Sequence, residues 1–456
     1  MPTSALYRRV WRWHFYAGLV CLPFLLLLAV TSALYLFKDP IESVVYARLR
    51  SVQPGTTPSL DAEALVAHAL QATPGGPPVR FTAPERAGRS AEVGIHTADG
   101  TVAVYLDPST GRVLGSLADD SRLMEVVKGL HSLTLAGPVA NHWIEIVAGW
   151  AIVLVVTGVF LWWPRGGGAY RIRGRPRERT WWRDLHAVTG VTAAGAVLFL
   201  AVTGMPWSAF WGQQFGRLTS EWGLGAPQYV WGKPQSAKPL AASLGEVPWA
   251  LAQVPVPSSD PHAHHGAVAV APPPAPATKL PKERAFGLND ALRTFERLGM
   301  PPGTPVALPA GPTGVYSALR LDDEVQAERV VHLDRYSGAV LADVGYPHYG
   351  AAARATAWGI SLHTGRQFGW MNQLVMLAAC LSIVTLAVSS AVMWWKRRPQ
   401  GRLAAPPRRE GDRAALAAVA VAVLLGVLYP LLGASLLVAL ALDLVVPRRW
   451  HERFGL

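Results

Sequence analysis

The chain has 456 residues, of which 51% are hydrophobic and only 16% are charged, and 42 Lys and Arg outnumber 30 Asp and Glu for a net charge of +12. Soluble domains average about 25% charged residues, and the mean hydropathy here is positive, at +0.23. A single soluble domain is therefore disfavoured. Two cysteines are too few for a disulfide framework or a thiolate metal site, and Cys21 and Cys380 both lie in apolar runs typical of buried segments.

Apolar runs of membrane-spanning length recur along the chain. A helix rises about 1.5 Å per residue, so some 20 apolar residues cross a hydrocarbon core of about 30 Å. The runs that meet this length are 15–37, 143–163, 187–207 and 371–395. The first is longer than the apolar region of a typical signal peptide, so we interpret residues 1–37 as an uncleaved anchor. A longer run at 414–446 has Pro430 and Gly433 in its middle and predicts a hairpin of two short spans, which makes about six spans in all.

The basic residues are concentrated beside the ends of these runs. The segments 1–12, 164–185, 396–413 and 447–456 hold 20 of the 42 basic and 5 of the 30 acidic residues, a net charge of +15, and the remainder of the chain carries −3. By the positive-inside rule both termini and the loops 164–186 and 396–413 are cytoplasmic. The charge then records membrane topology and gives no support for a nucleic-acid partner, and a bacterial inner membrane with periplasmic outer segments is expected.

The outer segments, 38–142 and 208–370, each predict a small α+β domain. Each contains a helical stretch, at 61–71 or 288–298, followed by a β-hairpin with turn chemistry at its tip. The hairpins read VAVYLDPSTGRVLG (102–115) and RVVHLDRYSGAVLA (329–342). The second segment also contains a Pro- and Ala-rich stretch, 254–281, which predicts a flexible loop.

The two halves of the chain repeat one another, which indicates an internal duplication. WRWHFYAG and WRDLHAVTG open the first and third spans, and in both a His is followed four residues later by Gly and seventeen later by Thr. LHSL and LHTG precede Trp pairs by the same 31 and 32 residues. The repeated histidines are His14, His186, His131 and His363.

A pair of histidines related by pseudo-two-fold symmetry suits the two axial positions of a haem iron inside a helix bundle. Zinc would need a third or fourth ligand, and no Cys or acidic residue repeats nearby. The alternative is an interfacial His that hydrogen bonds a neighbouring helix or solvent. His14 and His186 lie at the cytoplasmic side, and His131 and His363 at the outer side.

The outer pair presents a difficulty, since 31 residues of straight helix span about 47 Å. We expect breaks at Gly137–Pro138 and at 365–369, which would leave His131 and His363 on interfacial segments. His142 is a lower-ranked fallback ligand whose repeat partner is Leu374.

Further candidates are charged or metal-binding. Arg12, Arg183 and Arg366 lie near the histidines in sequence and could pair with haem propionates, although surface or positive-inside charge explains each equally well. The cluster PHAHH, with His262, His264 and His265, could bind a transition metal weakly.

The hairpins and the four histidine motifs resemble PepSY domains and the PepSY-associated transmembrane family over residues 5–447. The resemblance implies two b-type haems, with His14, His186, His131 and His363 as ligands, and electron transfer to an extracytoplasmic ferric chelate, as in ferric-siderophore reductases. The PHAHH loop departs from the family pattern.

The sequence therefore predicts a haem-containing inner-membrane reductase that releases Fe(II) from a ferric siderophore. No GxGxxG follows a strand, so the electron donor would be quinol, a flavoprotein or a small reductant. The alternatives are a non-enzymatic PepSY protein that binds a ligand or regulates a partner, and a metal permease, for which Asp443 is the main acidic candidate.

Overall fold

The computed structural model describes residues 5–53, 58–163, 170–225, 235–239, 247, 249–251, 255–259, 286–321, 324–398 and 423–445. The helices, in chain order, are α1 (Ala5–Tyr35), α2 (Lys38–Val45), α3 (Ala47–Arg50), α4 (Ala62–Ala72), α5 (Leu123–His131), α6 (Pro138–Trp162), α7 (Arg179–Gly204), α8 (Trp211–Glu221), α9 (Leu288–Arg297), α10 (Ala351–His363), α11 (Trp370–Arg397) and α12 (Pro430–Val445). The strands are β1 (Pro78–Thr82), β2 (Ala91–Thr97), β3 (Gly100–Leu106), β4 (Val113–Ala118), β5 (Gln235–Pro239), β6 (Pro255–Pro257), β7 (Pro305–Ala307), β8 (Val315–Arg320), β9 (Arg329–Asp334) and β10 (Val340–Gly345).

The chain divides into two compact units. The helical unit comprises residues 1–37, 127–218 and 359–456. The second unit comprises 38–126 and 219–358 and is called the outer unit after the sequence prediction for its segments.

Four helices of the helical unit are long and apolar enough to cross a membrane, namely α1, α6, α7 and α11, with peak mean hydropathies between 1.9 and 2.4. They form a closed ring in which α1 packs on α6, α6 on α7, α7 on α11 and α11 on α1. These helices coincide with the four long apolar runs, so the protein is a helical membrane protein.

The expected breaks ahead of α6 and α11 are present. α5 ends at His131, and Gly137 then adopts a φ of 99° directly before Pro138 begins α6. Between α10 and α11, Gly365 and Gly369 have φ values of 76° and 58°. A continuous α-helix does not contain such left-handed residues, so α10 and α11 are separate helices. The His-bearing segments therefore end before the spanning helices begin.

The C-terminal region packs on α6. Within 423–445 a helical segment at 423–428 precedes α12, and a Cβ placed on Gly433 would lie 2.7 Å from the Cα of Gly426. In a straight helix those positions would be about 10 Å apart, so the chain folds back between them. Residues 399–422 lie outside the described part, and the fifth and sixth spans stay predictions.

The outer unit is built on an eight-stranded antiparallel sheet in the order β10-β9-β8-β7-β1-β2-β3-β4. The sequence predicts two small domains, and the structure joins their strands where β1 pairs with β7, with Phe81 opposite Val306. Without this pairing, β1 and β7 would both be edge strands with unpaired backbone N–H and C=O groups. The pairing of β1 with β7 satisfies these groups.

One face of this sheet carries α4 and α9. Their apolar residues, Leu65 and Phe295 among them, form a core with Phe81, Val306 and Leu333 from strands of both halves. The core thus continues across the β1–β7 junction.

Both predicted hairpins are formed, by β3–β4 and by β9–β10. At one tip the Asp107 carboxylate accepts from Ser109 N, and at the other the Asp334 carboxylate accepts from Ser337 N. The turns then pass through Gly111 and Gly338, at φ 72° and 71°. The shared sequence D-x-x-[ST]-G encodes this turn, since the carboxylate caps the loop and Gly takes the left-handed conformation.

Candidate functional site: two histidine pairs

The four repeated histidines all belong to the helical unit and lie in two groups. His14 on α1 faces His186 on α7 with ring centroids 6.4 Å apart and ring planes at 85°. At the other end of the helices His131 contacts Thr31 of α1, and His363 contacts Thr203 of α7. We call these the first pair and the second pair.

Every one of these rings hydrogen bonds a hydroxyl on a neighbouring helix through Nδ1. The contacts are His14 to Thr157 Oγ1 (2.8 Å), His186 to Ser389 Oγ (3.1 Å), His131 to Thr31 Oγ1 (2.9 Å) and His363 to Thr203 Oγ1 (2.9 Å). Among the described residues, all hydrogen bonds of the four rings run through Nδ1, and each ring is half-buried. The Nε2 atoms are therefore the ones available to a ligand.

The contacts recur in the positions that the sequence repeat equates. A Cβ on Gly18 of α1 would lie 3.9 Å from Leu154 of α6, and a Cβ on Gly190 of α7 would lie 3.5 Å from Leu386 of α11, both at ordinary contact. Gly18 and Gly190 each stand four residues after a histidine. The repeated motif thus places its glycine against the helix that supplies the hydroxyl.

Asparagines at the start of α6 and α11 position the second pair. Asn141 donates its side-chain amide to the Ser132 carbonyl, next to His131. Asn372 donates to the Leu362 carbonyl, next to His363. Each interfacial segment is therefore anchored to the spanning helix that follows it.

Burial keeps the second pair neutral. Desolvation lowers the pKa of His131 to about 4, and desolvation together with the nearby His131 lowers the pKa of His363 to about 4. Both rings then carry a lone pair at neutral pH, which is the form that binds a metal.

The centroid distance of the first pair would suit two imidazoles that both bind one metal ion through Nε2. A five-membered ring of bonds near 1.35 Å places each nitrogen about 1.1 Å from the ring centre, and imidazole nitrogens bind metals at about 2.0 Å. Two Nε2 ligands in line would therefore separate the ring centroids by about 6.3 Å, against the 6.4 Å observed. The donor set fits a haem, which supplies the other four ligands itself.

Glycine lines both pairs. A Cβ on Gly158 would lie 3.2 Å from His14 Cε1, and a Cβ on Gly204 would lie 3.5 Å from His363 Cε1. Within the described residues no group of three or more His, Cys, Asp and Glu could hold a bare metal ion. Two imidazoles alone suit a planar cofactor better than a free ion.

The fallback histidine lies apart from this arrangement. His142 donates from Nδ1 to the Pro138 carbonyl of its own helix, and no contact between its ring and either pair is found in the described part of the chain. His262, His264 and His265 lie outside the described residues.

The candidate arginines have local partners. Arg183 binds the carboxylate of Asp184 at 2.7 Å, and Arg12 lies over the ring of Tyr16 at 5.4 Å. Arg366 donates to Thr364 Oγ1. A fourth cation was missed by the sequence analysis: the Arg397 guanidinium lies 4.9 Å from the ring of Phe15, the residue after His14.

Sequence reasoning also missed two of the four hydroxyls. Thr31 and Thr203 are part of the repeated motif, but Thr157 and Ser389 differ in residue type. Both stand 26 residues after the histidine of LHSL or LHTG and five before a Trp pair, so alignment of the repeat by hydroxyl chemistry would have found them.

The fold and site define a helical membrane protein with paired histidines in its bundle and a mixed α/β outer unit. A family model described as the PepSY-associated TM region matches residues 11–397. The chain belongs to this family. No curated protein matches the chain significantly.

Proposed function

We propose that the protein is a haem-containing membrane reductase that carries electrons across the bilayer to a ferric chelate, and that the chelate is a siderophore. The observation that carries the proposal is the first pair, in which two imidazoles have engaged Nδ1 atoms and centroids 6.4 Å apart. A haem bound at such a pair supplies reversible one-electron transfer.

One pair of histidines is assigned to each haem. His14 and His186 would ligate one haem b, and His131 and His363 a second. The Arg397 guanidinium, 4.9 Å from the ring of Phe15 next to His14, is a further candidate partner for a carboxylate of the cofactor. The matching contacts in the two halves support an internal duplication.

The separation of the pairs supports transfer across the bilayer. His14 and Thr31, the partner of His131, are 17 residues apart on α1, which corresponds to about 25 Å of helix. That distance covers most of a hydrocarbon core of about 30 Å.

The distribution of Lys and Arg supports cytoplasmic termini and an outer unit in the periplasm of an inner-membrane protein. The donor would be quinol or a flavoprotein. One electron converts Fe(III) to Fe(II), and hard oxygen ligands then hold the metal less tightly, which releases it.

An absorption spectrum of the purified protein tests the cofactor. We expect a Soret band and two haems per chain, with one lost from the double variant His14→Ala, His186→Ala and the other from His131→Ala, His363→Ala. His96→Ala, an exposed position on β2, is the control and should retain both. A protein without a Soret band would refute the cofactor and favour the non-enzymatic ligand-binding alternative, whereas full haem content in both double variants would refute the ligand assignment. Loss of haem from His142→Ala in place of His131→Ala would move the ligand to His142.

The substrate is tested with the reduced protein. Anaerobically reduced protein is mixed with a ferric hydroxamate or a ferric catecholate, and an Fe(II)-specific chromogenic chelator records the product. We expect reoxidation and one Fe(II) per electron. No reoxidation by either class would rule out the reductase.

A further inference from the structure

The hydroxyls that contact the histidines have their own protons committed elsewhere. In each case the side-chain oxygen donates to a carbonyl about one turn earlier in its own helix. The bonds are Thr157 to Val153 O (2.6 Å), Thr31 to Leu27 O (2.7 Å), Thr203 to Phe199 O (2.7 Å) and Ser389 to Leu386 O (3.1 Å).

A hydroxyl has one hydrogen to donate and two lone pairs to accept with. Because that hydrogen is used on the backbone, the short contact to the histidine requires the ring to donate. Nδ1 must therefore carry the hydrogen, and the neutral ring has its lone pair on Nε2. The same deduction applies at each of the four histidines; at His131, Nδ1 also lies 3.4 Å from Ser32 Oγ, and the deduction rests on the shorter contact of 2.9 Å with Thr31 Oγ1.

We propose that Thr157, Ser389, Thr31 and Thr203 are positioning residues that hold the four histidines in the Nδ1–H tautomer and aim Nε2 at the cofactor. The cofactor part of this statement rests on the proposed function, whereas the tautomer follows from the hydrogen bonds alone.

The kind of acceptor has a chemical consequence. Metal-bound histidines commonly donate their second N–H to a carboxylate, which raises the basicity of the ligand. A hydroxyl that already donates its proton is a neutral and weaker acceptor, so these rings remain neutral imidazoles when they bind iron. Removal of a partner of this kind typically costs 10- to 100-fold in metal affinity.

Conservative variants at the first pair separate the hydrogen bond from the packing. Thr157→Val keeps the shape and removes the acceptor, whereas Thr157→Ser keeps the acceptor. Thr192→Val on α7 is the matched control, because Thr192 donates to the Val188 carbonyl in the same way but is exposed and forms no hydrogen bond with any histidine of the described residues.

Two measurements on the full-length protein test the inference. Nitrogen-15 NMR of the His-labelled chain, prepared without haem, reports which ring nitrogen carries hydrogen. Haem titration monitored at the Soret band, with electron paramagnetic resonance of the ferric form, reports the ligand field and the affinity of each site.

We expect Nδ1–H in wild type for all four rings, and a change of tautomer at His14 together with a 10- to 100-fold weaker first site in Thr157→Val. Thr157→Ser and Thr192→Val should match wild type. Nε2–H rings in wild type, or a Thr157→Val protein with wild-type tautomer and affinity, would overturn the inference.

The two proposals fail separately. If the chain binds no haem, the proposed function is refuted, and the NMR result alone decides the tautomer. If haem binds at both pairs but Thr157→Val leaves the tautomer and the affinity unchanged, only the role of the hydroxyl is refuted.

Discussion

Gly158 offers a sharp test of how closely the first pair is packed. A Cβ at this position would lie 3.2 Å from His14 Cε1, which is shorter than the 3.4–4 Å of an ordinary van der Waals contact. In Gly158→Ala the ring must therefore withdraw by a few tenths of an ångström. Overpacking of this kind costs about 1–3 kcal/mol, and metal sites tolerate changes of only about 0.2 Å in ligand distance.

We expect Gly158→Ala to weaken haem binding at the first pair by about 10- to 100-fold, as a displaced ligand does. The assay is haem titration of the full chain, with the second pair as an internal reference. Gly18→Ala is the matched control, since its Cβ would meet Leu154 at 3.9 Å and fit. Both variants gain about 1 kcal/mol of helix propensity, so the difference between them isolates the contact with His14. Equal affinities in the two variants would refute the packing argument.

Three further predictions concern stability. Phe81→Ala at the β1–β7 junction should destabilise the outer unit by about 3–5 kcal/mol, since Phe81 is 2% exposed. Proteolysis at increasing urea concentration measures this loss, and an unchanged urea midpoint of cleavage would argue against a shared core. Burial raises the pKa of Glu92, but Arg122 and Arg80 outweigh it and leave the pKa below its usual value. The stabilisation from Glu92 is therefore complete above its unfolded pKa of about 4.3 and is lost as pH falls through the lower folded value. Glu92→Gln should lower the free energy of unfolding measured in urea at pH 7 by about 3–5 kcal/mol and should reduce the loss of that free energy in acid. Gly433→Val should lower the melting temperature in detergent because its Cβ would lie 2.7 Å from Gly426 Cα, whereas Leu437→Val, which is 69% exposed, should not.

Local patterns predicted most of the individual elements. Apolar length located four spans, Gly137–Pro138 marked a helix break, and D-x-x-[ST]-G located both hairpin tips. The joined sheet was not predicted, because β1 and β7 are short, both begin with Pro, and their pairing depends on residues more than 200 positions apart. No local pattern encodes such a contact.

The residues of the candidate site were also predicted only in part. Repetition identified the histidines, because identical residues recur at fixed spacing. The partners of the histidines follow from helix packing, so the hydroxyls of Thr157 and Ser389 were not recognised. Arg183 also forms an ion pair with the neighbouring Asp184, which the repeat pattern does not predict.

The hydrogen bonds tie each pair of helices at both ends. His14 of α1 reaches Thr157 of α6, while Thr31 of α1 receives His131 from the segment directly ahead of α6. A slip of α1 by one residue would move it by about 1.5 Å and rotate it by about 100°, which would break both bonds together. The register of the helices is therefore fixed by the same contacts that orient the histidines, and the distance between the two pairs is held constant. In the proposed function electrons pass between the two pairs, and a fixed distance between the pairs would then keep the rate of that transfer constant.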